Sequence, residues 1–315
     1  MEMEDLIYPK QIVIETTDRC NLNCPGCYRD FYVPTTSLMG EETYLGILKE
    51  ISTYPKKPKI ALFARGEVTM DPELKHRLEA AQDFGFGGKI CLATNGVLFD
   101  RELWEWILKT EICYEIIYSI DGLMQATIKG TRGDLGIQAH GNLKKLLELR
   151  DAHKSSTTIG TSLRRVGQDF GEIQRYIAYW LALGCDMVII RHDLLQEARS
   201  YTSGADPCFY HGDRYMVFDV KGEIRLCERR PGPTSTGRKP EETYRQAWRR
   251  NIEEHKGTDF CLKCPQRFNG DGFYGEIRFR DWMVWDKTVF FRKDYFNEIY
   301  SRTDNRDGVA WQGLR

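Results

Sequence analysis

Between residues 11 and 195 the chain alternates short β-rich runs with amphipathic stretches, and this alternation restricts the fold more than any other feature. The runs are QIVIETT (11–17), KIALFA (59–64), KICLAT (89–94), YEIIYSI (114–120), TIGTSL (158–163) and DMVIIR (186–191). Residues 72–85 follow Asp71-Pro72, an N-cap and a first-turn proline, and repeat Leu74, Leu78 and Ala81 on one face. Leu143, Leu146, Leu147 and Arg150 mark a second helix over 139–153; Ile173, Ile177 and Leu181 mark a third over 169–183. Six such units imply parallel strands joined by right-handed crossovers. An open sheet and a barrel share this pattern; six units are too few for an eight-fold barrel, and the expected fold is α/β, a partial (β/α)6 TIM-type barrel. Its chemistry is expected at the C-terminal ends of the strands.

After about residue 200 the pattern changes. A loop leads into a hairpin in which Lys221-Gly222 turns between MVFDV and EIRLC. A polar stretch containing Pro231, Pro233 and Pro240 precedes a helical segment near 241–254, and FCLKCP follows. The expected division is a barrel over 1–200, a small hairpin-plus-helix domain over 201–270, and an aromatic-rich tail over 271–315. Trp282, Trp285, Phe290 and Phe291 in that tail are expected to serve as packing or as a lid.

Formal net charge is −1, so the basic surplus of a nucleic-acid binder is missing. No apolar run approaches the ~20 residues of a membrane span. The acidic start MEMEDLIYPK does not read as a signal peptide, and a cytoplasmic location is expected. In that compartment ten cysteines point to metal or redox chemistry rather than disulfides.

The cysteines fall into two constellations. Cys20, Cys24 and Cys27 form a C-x3-C-x2-C run directly after the first strand. Three thiolates can hold three irons of a cubane and leave the fourth open to a ligand. A zinc site is the competing reading, but zinc wants four ligands and the nearest histidine is His76. The second constellation is Cys208-x18-Cys227-x33-Cys261-x2-Cys264, enough for one complete metal site, either zinc or a fully ligated Fe–S cluster.

A strand, a C-x3-C-x2-C run and a partial βα barrel together resemble the radical S-adenosylmethionine (SAM) superfamily. The resemblance implies an open-iron [4Fe–4S] cluster at Cys20, Cys24 and Cys27 that binds SAM and cleaves it to a 5′-deoxyadenosyl radical. Arg65-Gly66-Glu67 resembles the family's Gly-Gly-Glu-Pro element, departing from it at Arg65 and Val68. By the resemblance, Gly66 and Glu67 meet the SAM amino group. Thr94-Asn95-Gly96 ends the third strand as in many relatives, and Ser119-Ile120-Asp121-Gly122 resembles the Ser-x-Asp-Gly element near the ribose. Ser162 and Arg164 stand where relatives place polar groups on the ribose or carboxylate. Tyr28 follows the last cysteine, where many members have an aromatic residue just before it.

The second constellation resembles the twitch domain, the shortened form of the SPASM extension. This implies a second, auxiliary [4Fe–4S] cluster at Cys208, Cys227, Cys261 and Cys264, with Tyr244 to Trp248 on the intervening helix. In cluster count and size the chain is similar to the dehydrogenase of 2-deoxy-scyllo-inosamine. The expected reaction is hydrogen abstraction from a small polar substrate, completed as a two-electron dehydrogenation with the auxiliary cluster as acceptor.

Epimerisation is the alternative, and it needs a hydrogen donor such as a thiol. Cys91, Cys113 and Cys185 are expected toward the bottom of the barrel, which argues against it. Radical modification of a ribosomal peptide is another alternative, with a separate peptide-recognition partner; a zinc-stapled binding module is the non-enzymatic one. A flavodoxin- or ferredoxin-type electron donor is the expected partner. Candidate substrate contacts are Arg65, Arg164, Arg191, His192, Asp193, Tyr210 and His211.

Overall fold

The structure is a computed structural model that describes residues 8–27, 29, 36–165, 168, 170–192, 215–225, 238–255, 277–279, 282–285 and 288–292. Among the described residues from 11 to 192, six strands and six α-helices succeed one another. They are β1 (Gln11–Ile14), α1 (Glu41–Ser52), β2 (Lys59–Leu62), α2 (Leu74–Asp83), β3 (Ile90–Thr94), α3 (Arg101–Thr110), β4 (Cys113–Ser119), α4 (Gln125–Arg132), α5 (Gln138–His153), β5 (Thr158–Arg165), α6 (Phe170–Ala182) and β6 (Met187–His192). All neighbouring pairs from β1 to β6 are parallel and consecutive. The expected partial (β/α)6 barrel is therefore the observed one.

Because both faces of these strands are covered, they read as continuous apolar runs rather than as alternating ones. Ile12, Ile14, Ile60, Leu62, Ile90, Leu92, Ile116 and Tyr118 pack outward against the helices. The intervening residues Val13, Ala61, Cys91, Ile117 and Ile189 meet on the concave face, with Val217 beside them. These six are nearly or fully buried and form an apolar floor across the lumen.

Helix α2 departs from its expected start. It begins at Leu74 with Glu73 at the N-cap, so Pro72 lies before the first turn. Asp71 is drawn elsewhere: its buried carboxylate accepts from the Glu73 amide at 3.0 Å and from Arg77 Nε at 2.6 Å. A terminal nitrogen of Arg77 continues to the Met39 carbonyl at 2.6 Å. An apolar interior rewards such pairing of both charges over a surface cap.

The expected hairpin comprises β7 (Tyr215–Phe218) and β8 (Ile224–Arg225). Asp219 organises its turn, accepting from the Lys221 and Glu223 amides at 2.9 and 3.0 Å, and Gly222 has φ +76°. Strand β7 pairs parallel with β1 and so extends the barrel sheet. Helix α7 (Tyr244–His255) lies against α1, whose Glu50 accepts from the Tyr244 and Arg245 amides at 2.8 and 3.0 Å. Buried Trp248 donates from Nε1 to the Tyr215 carbonyl at 2.8 Å.

At the other edge, β9 (Ile277–Phe279), β10 (Trp282–Trp285) and β11 (Thr288–Arg292) form an antiparallel meander that joins β6 through β11. Among the described residues this sheet counts 11 strands. Among the described residues, no helix is long and apolar enough to cross a membrane.

Candidate active site

The polar residues of interest gather where β1 to β5 end. Beyond β1 the chain stays buried through Glu15, Thr16, Thr17 and Asp18, and residues 36–39 return beside it. The Met39 amide donates to the Thr16 carbonyl at 2.8 Å, and the Ser37 amide donates to Asp18 Oδ1 at 2.7 Å. Thr17 Oγ1 and Arg19 Nε donate to the Ser37 and Thr36 carbonyls at 3.1 and 2.8 Å. Buried backbone groups require such partners, and here they clamp the base of the loop that carries the three cysteines.

Within the loop Cys20, Cys24 and Cys27 are half-buried and none is bridged by a disulfide. The Cys27 amide donates to the Cys24 carbonyl at 3.1 Å, a tight turn that passes through Gly26 at φ +66°. Burial pushes the Cys20 and Cys24 thiols above their ordinary values. At Cys20 the Leu22 backbone opposes this, the Glu67 charge adds to it and Arg29 opposes it; at Cys24 Arg132 opposes and Cys27 adds. Among the described residues no three His, Cys, Asp or Glu side chains are set to hold one metal ion. A cubane makes a different demand, since each cysteine binds a different iron. The donor set, three thiols on one clamped loop, fits that group.

Two strand ends support this loop from one side. Gly66 lies so close to the returning chain that a Cβ there would sit 2.0 Å from the Thr17 carbonyl oxygen and 2.9 Å from Asp18 Cα. Beside it Glu67 is only 3% exposed. Its Oε1 accepts from the Thr69 amide at 3.0 Å, Thr69 Oγ1 at 2.7 Å and Thr94 Oγ1 at 2.6 Å, and its Oε2 accepts from the Asn95 amide at 2.5 Å. Glu67 thus ties the end of β2 to the end of β3, and Oε2 keeps one lone-pair direction.

Asn95 carries the connection onward. Its Nδ2 donates to Asn21 Oδ1 at 2.7 Å and lies 3.7 Å from Cys20 Sγ as donor. Among the described residues Asn21 Nδ2 is buried and has no hydrogen-bond partner, a donor left for a group beside Cys20.

The other side is held from β4 and β5. Asp121 is 0% exposed; its Oδ1 accepts from the Arg164 amide at 2.7 Å, and its Oδ2 pairs with Arg132 Nε at 2.9 Å. Arg164 turns its two terminal nitrogens to the Gly26 and Pro25 carbonyls, both at 2.9 Å. Ser119 and Ser162 are register partners on β4 and β5, with Ser119 half-buried and Ser162 buried.

The structure therefore brings Cys20, Cys24, Cys27, Gly66, Glu67, Thr94, Asn95, Ser119, Asp121, Ser162 and Arg164 to one end of the barrel. Tyr28, Asp193, Cys208, Tyr210, His211, Cys227, Cys261 and Cys264 lie outside the described residues, as do the side chains of Arg191 and His192. Arg65 is engaged with buried Glu15: its amide and Nε donate to Glu15 Oε1, both at 2.9 Å, and a terminal nitrogen contacts Oε2.

Sequence reasoning missed Glu15, Asn21 and Arg132. A carboxylate closing the apolar run of β1 was a usable signal for Glu15, because such a charge stays buried only when paired. Of the spare thiols, Cys113 and Cys185 sit in the helix–sheet core. Cys91 faces the lumen within the floor, 3% exposed, and donates to Glu115 Oε1 at 3.2 Å.

Residues 14–132 match the family model described as "Radical SAM superfamily". A tungsten-containing aldehyde ferredoxin oxidoreductase cofactor-modifying protein of Pyrococcus furiosus is 27% identical over 187 residues, 58% of this chain and 51% of that protein. A 7,8-dihydro-6-hydroxymethylpterin dimethyltransferase of Methanocaldococcus jannaschii is 32% identical over 126 residues, 38% of this chain and 24% of that protein. The chain thus spans about half the length of the first of these relatives and less of the second.

Among solved structures, Streptococcus suis SuiB bound to its precursor peptide SuiA superposes with a TM-score of 0.62 at 13% identity, covering 82% of this chain and 70% of SuiB. The anSMEcpe structure with bound AdoMet gives 0.58 at 15% identity, covering 82% and 88%. BtrN in complex with AdoMet and 2-DOIA gives 0.51 at 11% identity, covering 82% and 89%. These three share the fold.

Proposed function

We propose that this chain, a member of the radical SAM superfamily, removes hydrogen from a C–H bond of a small polar substrate and completes a two-electron dehydrogenation. The observation that carries the reading is the loop of three unbridged thiols, clamped at the strand ends above a sealed apolar floor. With SAM, a [4Fe–4S] cluster held by Cys20, Cys24 and Cys27 would supply the 5′-deoxyadenosyl radical that takes the hydrogen.

The protein's own part is positional and protective. Glu67, Thr94 and Asn95 fix the strand ends beside Cys20, and Asn21 Nδ2 offers a hydrogen bond toward what binds there. Val13, Ala61, Ile117, Ile189 and Val217 close the lumen beneath, keeping water from the reacting atoms. Cys208, Cys227, Cys261 and Cys264 would hold the acceptor cluster, and a flavodoxin- or ferredoxin-type protein would deliver the initiating electron. Dehydrogenation is favoured over epimerisation because Cys113 and Cys185 are sealed in the outer core, while Cys91 is enclosed in the floor and bonded to Glu115.

A second reading, in which the substrate is a larger cofactor precursor, is favoured by the Pyrococcus furiosus relative, whose name describes cofactor modification. Radical modification of a peptide draws the same kind of support from SuiB, whose structure holds its precursor peptide.

The test is a metabolite-depletion screen with the anaerobically reconstituted, reduced protein and SAM in D2O. The expected result is a small metabolite converted to a product lighter by two hydrogens, in step with 5′-deoxyadenosine and without deuterium from solvent. A product of unchanged composition carrying one solvent deuterium at an inverted carbon would overturn dehydrogenation.

A further inference from the structure

The turn between Cys24 and Cys27 is gripped from 138 residues away. Arg164, at the end of β5, places both terminal nitrogens of its guanidinium on that turn, 2.9 Å from the Gly26 carbonyl and 2.9 Å from the Pro25 carbonyl. A planar fork satisfies two carbonyl acceptors at once and so fixes orientation as well as distance. The fork is aimed by Asp121, which is fully buried: Oδ1 accepts from the Arg164 amide at 2.7 Å, and Oδ2 lies 3.9 Å from Arg164 Nε. The same Oδ2 pairs with Arg132 Nε at 2.9 Å. Gln168 braces the pair from behind, donating from Nε2 to the Asp121 carbonyl at 2.7 Å. Two neighbouring strands thus act on a single turn, and a buried carboxylate is committed to the task.

We propose that Asp121 and Arg164 form a latch that sets the Cys24–Cys27 turn in its metal-binding shape before cluster or SAM arrives. Both are then positioning residues that act through the thiols. Family resemblance alone would make them contacts to SAM. The latch rests on the reading of Cys20, Cys24 and Cys27 as the cluster ligands, but its first signature belongs to the metal-free chain. The Cys27 amide, bonded to the Cys24 carbonyl at 3.1 Å, is the natural reporter.

The experiment is hydrogen exchange on the metal-free, SAM-free full-length protein, comparing Arg164→Gln and Arg164→Lys with the parent. Loss of two charge-assisted bonds is expected to speed exchange of the peptide containing Cys27 by about tenfold or more. Peptides from β2 and α5 should exchange unchanged. Arg164→Lys keeps the charge and most of the stem, so it guards against a glutamine variant that fails to fold; it too should loosen the turn, because an ammonium lacks the fork.

A second readout uses the cluster-loaded protein with Cys208, Cys227, Cys261 and Cys264 replaced by alanine. There Arg164→Lys should alter the electron paramagnetic resonance line shape of the reduced cluster even without SAM. Unchanged exchange in both variants, with only SAM affinity reduced, would overturn the latch and leave Arg164 a SAM contact. If exchange responds but the parent binds no iron, the latch stands and the cluster reading falls.

Discussion

Replacing Glu67 with alanine is expected to destabilise the protein by on the order of 3–5 kcal/mol and to separate the ends of β2 and β3. The size follows from what is left behind. Two backbone amides and two hydroxyls converge on this carboxylate, at 2.5 to 3.0 Å, in a site closed to water. Removing it leaves the amides of Thr69 and Asn95 without acceptors, and each buried orphan costs about 1–3 kcal/mol. Glu67→Gln preserves the shape but turns an amide N–H₂ toward groups that are themselves donors, so it should recover only part of the loss. Chemical denaturation of metal-free protein measures both. A Glu67→Ala variant as stable as the parent would show that the carboxylate is not the tie between the two strands.

Gly66→Ala is expected to be comparably damaging for a steric reason. The added Cβ would lie 2.0 Å from the Thr17 carbonyl oxygen, 2.7 Å from its carbon and 2.9 Å from Asp18 Cα. These are backbone atoms in a segment already tied to residues 36–39, so they cannot yield as a side-chain tip would. Overpacking of this kind costs about 1–3 kcal/mol where the structure can adjust; here adjustment means opening the clamp beneath Cys20. The variant should lose stability and bind markedly less iron on reconstitution. Parent-like iron content with parent-like stability would contradict this account of the loop base.

The two substitutions also mark where the sequence was legible. The six βα units could be read because each strand is covered on both faces and shows as an apolar run with turn signals around it. The motif residues at strand ends could be placed together because parallel strands bring all their C-terminal ends to one side. What they touch there was another matter. Arg65 and Arg164 were expected to face a ligand; Arg65 is instead paired with Glu15, 50 residues back, and Arg164 reaches the Cys24–Cys27 turn. A long flexible cation takes whichever partner the tertiary fold presents, and local sequence carries no record of that choice.

The same holds for Asp71. A cap before a helix is a local inference, whereas the buried network of Asp71 and Arg77 is completed by the Met39 carbonyl, which the tertiary fold brings in from outside the helix and its cap. Strand β7 shows the limit for topology: its pairing with β1 joins residues about two hundred positions apart, beyond any periodicity in the chain.

On the proposed function, Cys20, Cys24 and Cys27 hold a cluster able to cleave SAM. The most direct measurement is iron content together with 5′-deoxyadenosine formation in anaerobically reconstituted, dithionite-reduced protein. With Cys208, Cys227, Cys261 and Cys264 replaced by alanine, about four irons per chain should remain. SAM should still be cleaved in that variant, and alanine at Cys20, Cys24 or Cys27 should abolish cleavage. SAM cleavage that survives loss of any one of those three thiols, or a chain that takes up only zinc, would contradict it.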